Sequence, residues 1–102
     1  MEIQQVTIDP LQSLLNDPYA FPRYQALIIL RTVIPEAVDE RAIIQRDFYA
    51  KDPKDRAAAI DFVRDTNQTE WLDEIARLRE DEHFWVRRAA DEAWERLSTQ
   101  SQ

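Results

Sequence analysis

The histidine at position 83 is the only one in the chain, and it is the first candidate for metal binding or acid–base chemistry. It follows three acidic residues, Glu80, Asp81 and Glu82, so nitrogen and oxygen donors are adjacent in sequence. A functional metal normally has two or three convergent protein ligands. A chain with one histidine and no cysteine offers few nitrogen and sulfur ligands. We therefore interpret His83 as a turn residue near a helix N-terminus whose protonation responds to pH.

Paired carboxylates are the second candidate, because two carboxyl groups can divide the acid and base roles of a hydrolase. Asp73 is followed by Glu74, and Asp91 and Glu92 precede Glu95 by about one helical turn. No nucleophile-and-base pair accompanies either set. Their spacing, with arginines interspersed, is typical of a solvated helix surface. The sequence therefore favours a protein without catalytic residues, and we predict no cofactor.

The overall composition narrows the chemistry further. The 102 residues include no cysteine, which excludes disulfides, thiolate metal sites and thiol nucleophiles. They also include no glycine, the usual residue in tight hairpins and phosphate-binding loops. A formal net charge of −7 repels a nucleic-acid backbone. These properties disfavour β-rich folds, nucleotide-binding loops and nucleic-acid partners.

The sequence contains no stretch with the features of a membrane span or a secretory signal. Its longest apolar run, residues 26–30, is far shorter than the roughly 20 residues that a spanning helix needs. The N-terminus lacks a basic start followed by an apolar run. We therefore expect no membrane span and a cytoplasmic location.

Helix-start signals and apolar spacing divide the chain into six helices. Asp9 and Asp52 each precede a proline, the arrangement of an N-cap followed by proline in the first turn. The helices are predicted near residues 10–16, 22–33, 35–50, 53–65, 68–81 and 84–98. We expect residues 1–8 to form a lead-in, residues 9–98 a single helical domain, and residues 99–102 a disordered tail.

Segments near the two ends of the chain share a residue pattern at an offset of 64 positions. The matched pairs are Asp17 with Asp81, Phe21 with Trp85, Arg23 with Arg87, Ala26 with Ala90, Leu30 with Trp94, and Val33 with Leu97. A middle segment aligns Arg56 with the other two arginines, although Asp52 precedes it by four residues instead of six. Self-similarity at a period near 32 residues indicates a repeat architecture.

This pattern resembles a HEAT repeat, a pair of antiparallel helices with an aspartate in the turn and an arginine early in the second helix. Residues 78–97 match that pattern well, residues 14–33 moderately and residues 38–65 weakly. The short HEAT-like repeats of phycobilisome lyases are the most similar in character. The resemblance implies an all-α fold, a short α-solenoid of about three antiparallel helix pairs. It also implies that the recurring aspartate and arginine are structural and set the register between repeats.

The resemblance implies a function and an alternative to it. The first expectation is a non-catalytic protein–protein interaction or scaffold module of HEAT-like type, whose partner is another protein. The alternative is an accessory factor or subunit in bilin attachment to, or detachment from, phycobiliproteins. A second copy of the chain, bound through exposed end faces of the stack, is a further expected partner.

A solenoid also predicts where its partner binds, because the second helices of successive repeats line one surface. The expected core positions of the first such helix are Ala26, Ile29, Leu30 and Val33, which leaves Tyr24, Ile28 and Arg31 pointing outward. Their counterparts in the later repeats are Ala57, Asp61 and Arg64, and then Arg88, Glu92 and Glu95. We predict that the partner contacts Tyr24, Ile28, Arg31, Arg64, Arg88 and Glu92.

The three tryptophans are expected to differ in burial. Trp94 aligns with Leu30 and is predicted to lie in the core. Trp85 occupies the place of a hydrophobic staple at the start of the last helix. Trp71 is predicted to be the most exposed, because the apolar residues that follow it already define an inward-facing stripe.

Overall fold

The computed structural model describes residues 10–100, and every regular element among them is helical. The α-helices are α1 over residues 10–14, α2 Ala20–Val33, α3 Glu40–Phe48, α4 Pro53–Asp65, α5 Leu72–Leu78 and α6 Phe84–Gln100. Short 3-10 turns at Pro35–Ala37 and Thr69–Trp71 precede α3 and α5. No strand occurs in this part of the chain, which confirms the all-α prediction. The predicted lead-in and residues 101–102 lie outside the described residues.

Within residues 10–100, no helix is both long enough and apolar enough to traverse a bilayer.

The segment predicted as one helix over residues 35–50 contains a break. After a 3-10 turn, Val38 has extended backbone dihedrals, with φ −143° and ψ 139°. α3 then begins at Glu40, and the backbone N–H of Ala42 donates to Asp39 Oδ1 at 3.2 Å. The prediction of one continuous helix is wrong, because Asp39 satisfies a free N–H group at the start of a new helix.

The other helix bounds differ from the predicted ones by smaller amounts. α2 begins at Ala20, two residues early, and α5 occupies only part of the predicted helix over residues 68–81. α6 continues through Gln100, so the first two residues of the predicted disordered tail are helical. α4 has its predicted bounds, and Asp52 caps it by accepting from the backbone N–H of Lys54 at 2.9 Å.

α4 ends in a Schellman-type turn that is made without glycine. Asn67 has a φ of 56°, its N–H donates to Arg64 O at 3.2 Å, and the N–H of Gln68 donates to Val63 O at 3.1 Å. Glycine is the usual residue at this left-handed position and asparagine is the next most suitable. Asn67 therefore does in this glycine-free chain what glycine does at many helix ends.

The described chain forms two compact units that divide between Ile43 and Ile44, within α3. The first unit contains α1, α2 and the 3-10 turn that follows α2. The buried residues of α2 are Arg23, Tyr24, Ala26, Leu27 and Leu30. Each of these residues lies three or four positions from another one of the set, the spacing of one helix face.

The predicted orientation of α2 is wrong in part. Ile29 and Val33, predicted as core, are 44% and 59% exposed, whereas Tyr24, predicted to point outward, is 6% exposed. The apolar run over residues 26–30 spans more than one full turn, so it presents apolar side chains on every side of the helix. The apolar spacing alone therefore could not decide which side is buried.

In the second unit α6 packs against both α4 and α5. Its buried residues are Val86, Ala89, Ala90, Ala93 and Leu97. The three alanines among them let neighbouring helices approach closely. α4 contributes buried Ala59, Ile60, Phe62 and Val63, and α5 contributes Ile75 and Leu78.

Trp71 belongs to the core of this second unit, so the prediction that it is exposed is wrong. It is 3% exposed, and its ring meets Phe48 edge-to-face with centroids 5.3 Å apart. Its Nε1–H donates to Gln68 Oε1 at 3.0 Å, which satisfies the indole donor inside the core. Trp71 ends a 3-10 turn instead of starting α5, so the apolar stripe of α5 does not set its direction. Trp94, which was predicted to lie in the core, is only half-buried.

Three arginines share one contact that repeats along the chain. Each donates from Nη1 to the backbone carbonyl six residues earlier: Arg23 to Asp17 O at 3.0 Å, Arg56 to Ala50 O at 2.7 Å and Arg87 to Asp81 O at 2.8 Å. The two turn aspartates also match, since Asp17 Oδ1 accepts from the N–H of Tyr19 and Asp81 Oδ1 from that of His83. The two segments that align at the 64-residue offset therefore share hydrogen bonds as well as residue types. By the same criterion Ala50, and not Asp52, occupies the turn position of the middle segment.

Within the second unit, Asp81 pairs with Arg56, an aspartate and an arginine that belong to two successive segments of the aligned pattern. Arg56 Nε and Nη2 donate to the two carboxylate oxygens of Asp81 at 3.0 and 3.1 Å, and both side chains are about 90% buried. Burial raises the pKa of Asp81, but hydrogen bonds from the His83 N–H and from Arg56 outweigh burial, so the pKa lies below its ordinary value. Asp81 is therefore a structural anion.

Candidate partner-binding site

Three of the six predicted contact residues lie in the first unit. Tyr24 is buried, so the prediction that it lies on the outer surface is wrong. Ile28 is 45% exposed and lies at the surface as predicted. Arg31 is half-buried, and its Nε donates to Glu40 Oε1 at 2.6 Å. Of the three contact residues predicted in the first unit, Ile28 is therefore the exposed apolar one.

The other three predicted residues meet in the second unit through one carboxylate. Glu92 Oε2 accepts from Arg64 Nη1 at 3.1 Å, and Glu92 Oε1 lies 3.5 Å from Arg88 Nε. Arg64 extends from α4 and the other two from α6, so the network joins the two helices at their surface. The predicted strip is thus a connected group of charges in this unit.

An open groove of about 420 Å³ lies between α4 and the start of α6. Its lining residues are Pro53, Lys54, Ala57, Ala58 and Asp61 from α4, with His83 and Trp85 opposite them. Ala57 and Asp61 are strip positions predicted from the repeat. The groove therefore begins on the predicted strip and extends to residues that the repeat pattern did not single out.

Trp85 is the large side chain of this groove. It is 60% exposed, and its ring touches Phe84 edge-to-face with centroids 5.4 Å apart. The next residue, Val86, is fully buried, and successive helix residues point about 100° apart, so Trp85 projects away from the core. Phe21, the residue that aligns with Trp85 at the 64-residue offset, is also exposed, at 73%.

His83 contributes hydrogen bonding to the groove. Its Nδ1 accepts from the backbone N–H of Trp85 at 3.2 Å, which places the ring at the first turn of α6. An accepting Nδ1 requires the proton of neutral imidazole to be on Nε2. Within residues 10–100 no group of three or more histidine, aspartate or glutamate side chains is arranged to hold a metal ion.

Asp61 supplies the negative charge of the groove. Burial raises the pKa of its carboxyl group, Arg64 opposes that effect, and Asp65 and Glu92 add to it. Arg64 Nη1 lies 3.4 Å from Asp61 Oδ1, but Arg64 also pairs with Asp65 at 2.9 Å and with Glu92 at 3.1 Å. One guanidinium is thus shared among three carboxylates, and Asp61 has the longest of the three contacts.

A second depression, of about 530 Å³, follows the outer surface of α6. Apart from Phe84 it is lined by charged side chains: Arg79, Arg87, Arg88, Asp91, Glu92 and Glu95. Arg79 Nε pairs with Asp91 Oδ1 at 3.0 Å, and both side chains are well exposed. The lining of this depression is more polar than that of the α4/α6 groove, and exposed ion pairs contribute little to binding, so the α4/α6 groove is the better candidate for a partner.

No family model, curated protein or solved structure matches this chain.

Proposed function

We propose that this chain is a non-catalytic protein-binding module whose helices stack as HEAT-like pairs. Its binding site for a partner protein is the α4/α6 groove together with the adjoining charges of Arg64, Arg88 and Glu92. The observation that carries the proposal is the exposed indole of Trp85 on a groove lined by alanines. Tryptophan at the edge of a groove is among the most common anchors of protein interfaces.

The repeated arginine contacts support the HEAT-like part of the proposal. Arg23 and Arg87 bond to equivalent turn carbonyls at an offset of 64 residues, and the bidentate pair of Arg56 with Asp81 connects one segment to the next. Arginine–aspartate contacts of this kind are expected where repeats stack in a fixed register.

The chemistry of the groove supports binding of protein in preference to catalysis. Its small apolar side chains, Ala57 and Ala58, can accept a partner's side chain, and Lys54 and Asp61 flank them along α4. The Arg64–Glu92–Arg88 network provides a polar rim beside it. An apolar centre with a polar rim is the usual composition of a specific protein interface.

Trp85→Ala tests the proposal against a matched control, Phe21→Ala. Both residues are exposed aromatics at the same repeat position, and only Trp85 lines the groove. Immobilised full-length chain would capture its partner from a native lysate, and the affinity of the identified partner would then be measured for each variant. We expect Trp85→Ala to weaken binding by at least about tenfold and Phe21→Ala by less than about threefold. Loss of binding with Phe21→Ala alone would place the site elsewhere.

A further inference from the structure

The groove has opposite charges at its two ends. Lys54, Ala57, Ala58 and Asp61 are spaced as one stripe along α4, so the ammonium and the carboxylate belong to positions about 10 Å apart along the helix axis. The two alanines lie between them. A partner side chain that fills the groove therefore meets an apolar middle and one charge at each end.

Elsewhere in the second unit, arginines cover aromatic rings from within the chain. The guanidinium carbon of Arg77 lies 4.3 Å from the ring centroid of Tyr49, and that of Arg79 lies 5.1 Å from the ring of Trp94. Among residues 10–100, no arginine or lysine covers the indole of Trp85 in this way. Its exposed ring is therefore a cation–π acceptor that can receive a cation from outside.

The carboxylate of Asp61 lies on the same groove and has little cationic compensation. Its contact with Arg64 is 3.4 Å long, and Arg64 makes shorter contacts with Asp65 and Glu92. Its pKa is raised by burial, which is the expected effect of partly removing an anion from water without a full counter-charge. A second guanidinium beside Asp61 would supply that counter-charge.

We propose that the groove binds an arginine side chain of the partner protein, with its stem along Ala57 and Ala58, its guanidinium plane on Trp85 and its charge at Asp61. Arginine suits this site better than lysine, because its planar, weakly hydrated cation can stack on an aromatic ring and pair with a carboxylate at the same time. Lys54 at the other end disfavours a second cation nearby. The preferred ligand is thus one arginine in an otherwise apolar segment and not a run of basic residues.

The inference rests on the proposed function, and a matched pair of peptides tests it. Isotope-labelled full-length chain is titrated with Ac-Ala-Leu-Arg-Leu-Ala-NH₂ and with the same peptide carrying citrulline, which is neutral and nearly the same shape. The signals followed by NMR are the Trp85 indole N–H and the Ala57 and Ala58 amides. We expect the arginine peptide to bind about threefold more tightly, the size expected for a partly exposed cation–π contact and ion pair.

Asp61→Asn and its control Asp91→Asn assign that preference to the groove. Asp91 lies outside the groove, is 60% exposed in its side chain and pairs with Arg79, so its substitution removes the same charge elsewhere on the unit. The preference for arginine over citrulline should fall to about one in Asp61→Asn and persist in Asp91→Asn. Loss of the preference in both variants would assign it to net charge and overturn the inference.

The remaining outcomes separate this inference from the proposed function. Equal binding of both peptides at Trp85 would overturn the arginine preference while the groove remains a protein-binding site. If neither peptide shifts the groove signals while partner capture still depends on Trp85, the arginine proposal fails and the proposed function stands. If capture is also independent of Trp85, both fail.

Discussion

The carboxylate of Asp81 holds α4 to the turn that precedes α6. It accepts two hydrogen bonds from Arg56 and one from the His83 N–H, and its backbone carbonyl accepts from Arg87. The sequence pattern predicted that this aspartate and its arginine are structural. It could not identify Arg56 as the arginine that reaches Asp81, because the pair is 25 residues apart and the altered middle turn obscures the register.

We expect Asp81→Asn to lower the free energy of unfolding by about 3 kcal/mol, because the substitution leaves a largely buried guanidinium without its anion. Asp91→Asn breaks an exposed pair with Arg79 and should cost less than about 0.5 kcal/mol. Urea unfolding of both variants measures the difference. Equal losses would show that the Arg56–Asp81 pair has no special structural role.

The contribution of Asp81 to the free energy of unfolding should also depend on pH. Its pKa in the folded chain lies below the ordinary value of 3.8, so the ionised carboxylate stabilises the fold above that value and the stabilisation is lost as the pH falls below it. The difference in unfolding free energy between wild type and Asp81→Asn should therefore be largest near neutral pH and shrink below about pH 4. Urea unfolding of both proteins at a series of pH values measures this difference. A difference that stays constant with pH would contradict a stabilising role for the ionised Asp81 carboxylate.

Asp61 should have the opposite effect on stability. Burial raises its pKa in the folded chain, so its ionised form costs stability at neutral pH, and that cost disappears as the pH falls through the raised pKa. Because the side chain is 49% exposed and solvent screens it, we expect Asp61→Asn to stabilise the fold by only about 0.3 kcal/mol at neutral pH.

Asp65→Asn is the control for that substitution. Asp65 is more exposed and has the shortest ion-pair contact with Arg64, 2.9 Å, so its loss should give no gain in stability. Thermal unfolding of the two variants at neutral pH makes the comparison. A destabilised Asp61→Asn, with a loss larger than that of Asp65→Asn, would mean that Asp61 is a structural ion-pair partner and not a poorly compensated carboxylate.

At the scale of helices, local signals predicted some elements well and others poorly. The Asp52–Pro53 start signal predicted α4 at its observed bounds, because cap and proline act on adjacent residues. α3 was predicted to start too early, since Pro35 also permits a helix start and only the fold decides between it and the Asp39 cap. The side of α2 that is buried depends on its neighbours, and its apolar residues cover the whole circumference.

The end of α4 provides a test at this scale. Asn67 has a φ of 56°, a conformation that glycine adopts without strain and that β-branched residues oppose. Asn67→Gly should change the free energy of unfolding by less than about 0.5 kcal/mol, and Asn67→Val should lower it by about 1–2 kcal/mol. Urea unfolding distinguishes them. If valine were tolerated as well as glycine, the left-handed turn would not be a requirement of the fold.

For the whole molecule, the repeat pattern predicted an all-helical chain and aligned the three arginines, but it did not predict that each of them bonds to the backbone carbonyl six residues earlier. The groove could not be predicted from the sequence, because its lining comes from α4 and from residues about thirty positions later. Trp85 was assigned to a staple since it aligns with an apolar position at a helix start, and burial of the adjacent Val86 leaves the indole outside. The proposed binding function thus depends on a surface that only the packing of α4 on α6 creates.

The most direct test of that function places the photo-crosslinker p-benzoylphenylalanine at position 85 in one variant and at position 21 in another. Both positions hold exposed aromatic residues at matched places in the sequence, so the crosslinker lies at the surface in each variant. On irradiation with the captured partner, we predict a covalent adduct from position 85 and none from position 21. Adducts from position 21 alone, or in equal yield from both, would contradict binding in the α4/α6 groove.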